Sequence, residues 1–98
     1  MKFPATPAEA ATDARTYLRR TCDGLDGDHP ITTKVIDMDG DWSLVFVDWT
    51  YEHRGLEFTG SYSYSREAYD AYEQHIYGGL SRVVDLTSGA HIPVRHFV

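Results

Sequence analysis

The chain is poor in the residues that would assign it a chemistry. It has one cysteine in 98 residues, Cys22, so no internal disulfide can staple it. On a helix face such a lone thiol reads as a small buried apolar group. Lys and Arg number nine against fifteen Asp and Glu, a net charge of −6. A nucleic-acid binder needs cations to displace counterions from phosphates, and an anionic membrane attracts cations, so this balance excludes both as direct partners. No apolar run is long enough to span a bilayer, and the start, MKFPATPAEA, lacks the hydrophobic stretch of a secretion signal. The expected setting is cytoplasmic and reducing.

Site motifs are missing too. The eight glycines form no G-x-G-x-x-G or Walker-type run, which removes support for nucleotide binding. Asp37, Asp39 and Asp41 resemble the start of a calcium loop, but the position that needs Gly is Trp42 and the twelfth is Asp48, not Glu. The histidines at 29, 53, 75, 91 and 96 match no zinc-ligand spacing, and no serine sits in a nucleophile elbow. The expectation is a non-catalytic protein with no metal and no cofactor.

What is present is a strong folding pattern. Thr6-Pro7-Ala8-Glu9 is a helix start: the Thr hydroxyl can accept a free backbone N–H, and Pro suits the first turn. Ala11, Ala14, Leu18 and Cys22 then recur at helical spacing, and Asp23-Gly24 marks the stop. Three strands follow. The first is about Thr32 to Met38, and Asp39-Gly40 is a two-residue hairpin signal. The second, Trp42 to Tyr51, is apolar on both faces. The third, Leu56 to Tyr64, alternates, with Leu56, Phe58, Tyr62 and Tyr64 on one side.

Ser65 is placed to cap a second helix, Arg66 to Tyr77, ended by Gly78-Gly79. RVVDL and HIPVRHFV then form a C-terminal hairpin over residues 80–98, with residues 1–5 a flexible N-terminus. The expectation is a single α+β domain over 1–98. Its antiparallel sheet has three to five strands and two helices on one face, in the order α-β-β-β-α followed by the C-terminal β-hairpin.

Polarity sets the register. A two-residue turn after the second strand, taken to pair Tyr51 with Leu56, Trp49 with Phe58 and Val45 with Tyr62, keeps apolar against apolar, where a three-residue loop would set Asp48 and Thr50 among the aromatics. Val45, Val47, Trp49, Tyr51, Phe58, Tyr62 and Tyr64 then form the helix-facing core. Trp42, Leu44 and Phe46 fall on the opposite flank, beside Val35. The tail, a second copy or a foreign partner would have to cover them.

One charge cluster stands above background. Aspartates at 23, 26, 28, 37, 39 and 41 face only Lys34 and hold about five of the six net negative charges. They read either as a solvated loop and turn or as a ridge that steers a cationic partner. The helix, three strands, helix order is that of double-stranded-RNA-binding domains, but Ser65-Arg66-Glu67-Ala68-Tyr69-Asp70 lacks their basic helix start. With its acidic surface, the same order over about residues 7–77 resembles some phage-encoded anti-CRISPR inhibitors. The resemblance implies occupation of a basic nucleic-acid channel and lends no residue a role.

The leading expectation is a small acidic protein-binding module that inhibits a basic nucleic-acid-handling or defence enzyme. Asp26, Asp28, Asp37, Asp39 and Asp41 would steer, Trp42 and Tyr77 would anchor, and Leu44 and Phe46 would complete the surface. The alternatives are a homodimeric scaffold built on Trp42, Leu44 and Phe46, and a small ligand-binding protein or enzyme using His75 and the tyrosines, Tyr72 among them.

Overall fold

A computed structural model describes residues 3–22, 29–67 and 76–97. Helix α1 spans Pro7–Thr21. The Thr6 hydroxyl accepts the Glu9 N–H at 3.2 Å, and Glu9 Oε2 accepts the Ala5 N–H at 2.7 Å, one residue earlier than a standard capping box. Ala10, Ala11, Ala14 and Leu18 are buried, so small residues let the helix lie close to the sheet.

The sheet is a five-stranded antiparallel meander in sequence order. Its strands are β1 (Thr32–Asp37), β2 (Leu44–His53), β3 (Leu56–Ser65), β4 (Ile76–Asp85) and β5 (His91–Ile92), and a 3-10 turn follows at Val94–His96. The protein is thus α+β with one helix among the described residues. The expected second helix begins at Arg66 and Glu67, residues 68–75 lie outside the described residues, and Ile76 and Tyr77 are strand, not helix. Ile76 and Tyr77 pair with Tyr64 and Ser63, which extends β4 back through the glycine pair expected to end that helix.

All seven residues expected to form the helix-facing core are buried. The β2–β3 register differs from expectation by two residues: His53 faces Leu56, Tyr51 faces Phe58, and Val45 faces Tyr64. A shift of two keeps every side chain on its face. The turn does hold two residues, Arg54-Gly55, with φ of 53° and 78°, the signature of the hairpin turn that matches strand twist; a turn of that length closes on His53 and Leu56, whereas pairing Tyr51 with Leu56 would leave four residues in the loop.

The β1–β2 connection departs more. It is a six-residue loop, Met38 to Ser43, and not a two-residue turn at Asp39-Gly40. The Asp37 carboxylate accepts the N–H groups of Asp39, Gly40 and Trp42, which holds the wide loop open. The longer loop displaces the pairing by an odd number, so Val35 sits opposite Val47 on the core side and Ile36 opposite Phe46 on the other flank.

Candidate functional site

Trp42 is not on the flank opposite the helix. Its φ of 63° turns it toward the core, and its indole N–H donates to the Pro4 carbonyl at 2.6 Å. It packs against the buried cluster. Arg66 ties down the same corner, donating to the Trp42 carbonyl at 3.0 Å while its guanidinium lies 4.7 Å from the centre of the Phe3 ring.

The other members of the expected docking surface do not gather on one face. Asp26 and Asp28 lie outside the described residues. Asp37 spends its carboxylate on the loop. Asp39 Oδ2 and Asp41 Oδ1 both accept the Ser43 hydroxyl, at 2.8 and 2.6 Å, and the Ser43 hydrogen bonds hold the exposed Asp41 carboxyl below the usual carboxylate range. Leu44 and Phe46 are half-buried on the flank away from the helix, and Tyr77 sits in β4 opposite Ser63. His75 and Tyr72, the side chains named for a ligand pocket, lie outside the described residues.

The tail also takes the unexpected side. Val83 opposes Phe58 and is fully buried, Ile92 pairs with Val83, and the Phe97 ring meets Phe58 edge-on at 5.2 Å. These residues pack on the helix side of the sheet.

A cleft of about 760 Å³ lies on that side, bounded by the last turns of α1, by β2 to β4 and by Phe97. Its floor is a chain of rings: Trp49 to Tyr51 at 5.8 Å, Trp49 to Tyr62 at 5.6 Å, and Tyr51 stacked on Phe58 at 5.0 Å. Tyr17 from α1 meets Tyr62 edge-on at 5.0 Å and closes the helix end. Two backbone irregularities shape the floor. The indole of Trp49 lies over Gly60, directly across the ladder, covering the position that has no side chain. Beside it a bulge in β4 leaves Ser81 unmatched, since Thr59 pairs with Arg82 and Gly60 with Leu80.

The phenols of the cleft are neutral donors. Burial pushes the Tyr51 phenol well above the ordinary tyrosine range, and a hydrogen bond to the Cys22 side chain adds to the shift. Burial and the neighbouring Cys22 push the Tyr62 phenol up to about 12, against the effect of a hydrogen bond with Thr21. Both stay protonated at physiological pH. The Trp49 indole nitrogen is buried with no acceptor among the described residues. His53 and Arg54 stand at the mouth, and no Asp or Glu lines the cleft among the described residues. No group of three His, Cys, Asp or Glu among the described residues is placed to hold a metal ion.

The sequence placed Tyr51, Phe58 and Tyr62 in the core but did not mark them as a site. The missed signals were the Tyr51 and Tyr62 hydroxyls, which a dry core could not both satisfy, and Gly78-Gly79, a glycine pair inside a strand. Comparison with known proteins finds no family model, no curated protein and no solved structure that matches the chain.

Proposed function

We propose that this is a small non-catalytic binding protein whose ligand seat is the aromatic cleft between α1 and β2–β4. The observation that carries the reading is the cleft itself, half-walled by rings and lined by the Tyr51 and Tyr62 phenols. Its volume falls within the range of small-molecule sites, which are typically apolar with a few placed polar groups. The phenols, held protonated, suit hydrogen bonding rather than proton abstraction.

The reading as an acidic inhibitor of a basic partner has less support. Its aromatic anchor Trp42 is bonded to Pro4, and the carboxylates of Asp37, Asp39 and Asp41 serve the loop that carries them. The direct test is heteronuclear NMR during titration with a neutral bicyclic aromatic such as naphthamide. Shifts confined to the cleft, at Trp49, Tyr51, Tyr62, Leu80 and Phe97, are the expected result. Shifts confined to the Ile36–Phe46 flank, or none at millimolar probe, would overturn the reading.

A further inference from the structure

We infer that the cleft selects a small planar aromatic carboxylate, its ring against Tyr51, Phe58 and Tyr62 and its carboxylate at Arg54; this inference rests on the reading of the cleft as a ligand seat. Three observations converge on a negative group at the mouth. The first is charge segregation. A chain with fifteen acidic residues places none of them on the cleft among the described residues, while Arg54 and the imidazole of His53 both line it. Of the acidic side chains in the adjoining rungs, Glu52 and Glu57 oppose each other on the far side of the sheet, where Glu57 sits 3.8 Å from Arg82, and Asp85, opposite Leu56, turns its carboxylate to the Thr87 and Ser88 N–H groups of its own turn.

The second is the conformation of Arg54. It occupies the first position of the β2–β3 turn with φ of 53°, a left-handed conformation in which Asn, Asp or Gly is favoured and a long side chain is strained. Strain of this kind is retained where the side chain has work that the turn itself does not need. The third is the state of that guanidinium: it makes no ion pair with any described residue. An exposed, unpaired guanidinium is weakly hydrated and presents a planar fork that fits a carboxylate.

Size and flatness of the ligand follow from the walls. Tyr51 and Phe58 stack at an interplanar angle of 15°, and Phe97 and Tyr17 present edges to the floor. Such surfaces favour an inserted ring by offset stacking and edge contacts.

The test is calorimetric titration with naphthoate and naphthamide, which share a ring system and differ in charge. Wild-type protein should bind naphthoate about tenfold more tightly, the scale of one partly exposed charge-assisted pair. Arg54→Asn, which suits the turn, should erase that preference by weakening naphthoate far more than naphthamide, and should raise the urea midpoint because the strain is gone. Equal binding of the two probes by wild type, with naphthamide still mapped to the cleft, would overturn the carboxylate inference and leave the ligand seat standing. Retention of the preference in Arg54→Asn would overturn the role of Arg54. Failure of both probes to bind would overturn both proposals.

Discussion

Gly60 is the position where the packing of the cleft floor can be tested most sharply. A methyl group built there overlaps Trp49 Cζ2 and the Gly79 carbonyl oxygen, and lies 2.7 Å from Trp49 Cη2. Neither neighbour can yield easily. The indole is 2 % exposed and wedged between Tyr51 and Tyr62, while the carbonyl belongs to β4, paired on both sides of the bulge. Overpacking of this kind costs about 3 kcal/mol, the upper end of its usual range. Replacing Gly by Ala returns roughly 0.5–1 kcal/mol of backbone entropy. Gly60→Ala should therefore destabilise by about 2 kcal/mol, lowering the Tm by on the order of 10 °C for a domain of this length.

The matched control is Gly79→Ala, where an added Cβ meets nothing within 4 Å. It should be neutral or stabilise by about 0.5 kcal/mol, so the two variants separate by roughly 2–2.5 kcal/mol. Urea unfolding followed by tryptophan fluorescence reads both. Equal midpoints for the two variants would refute the packing of Trp49 over Gly60, and with it the floor of the cleft.

Two further outcomes follow from the same geometry. Asp37→Ala removes the acceptor for three N–H groups of the Met38–Ser43 loop and should cost roughly 1–2 kcal/mol, with amide exchange in Asp39–Trp42 accelerated; unchanged exchange there would contradict the Asp37-centred loop. At alkaline pH, Tyr62 keeps its proton to about 12 in the folded chain but loses it near 10.0 when unfolded, so the folded state holds more protons and stability should fall as pH rises through that window. Ultraviolet titration should show Tyr51 and Tyr62 ionising last, only as the chain unfolds. Ionisation of all the tyrosines near the ordinary value, with the fold intact, would contradict their burial.

Much of the fold was legible in the residues because side-chain periodicity reports burial directly. The period of two in β2 and β3 identified all seven buried members of the core face, and the Thr6–Glu9 start located α1. What failed were features decided by groups beyond the local pattern. Asp39-Gly40 is a hairpin signal in isolation, yet the Asp37 carboxylate one turn earlier organises a wider loop, and that change moved Val35 from one flank to the other. Trp42 reads as a strand residue until the Pro4 carbonyl, 38 positions away, is available to its indole. The helical pattern from Arg66 ran on to Tyr77 because Ile76 and Tyr77 fit a helix wheel as well as a strand, and only pairing with β3 decides between them. The cleft was hidden for a related reason: its rings were legible as apolar, but the gap between α1 and β3–β4 is a property of where the single described helix lies.

The central claim is that Trp49, rather than Trp42, belongs to a ligand seat. The two indole N–H signals in a heteronuclear NMR spectrum test it together, since the Trp42 N–H is already bonded to Pro4 while that of Trp49 has no acceptor among the described residues. On addition of naphthoate, the Trp49 signal should shift as the naphthalene ring settles on the aromatic floor beside it, and the Trp42 signal should stay in place. Movement of Trp42 with Trp49 unchanged would contradict the account.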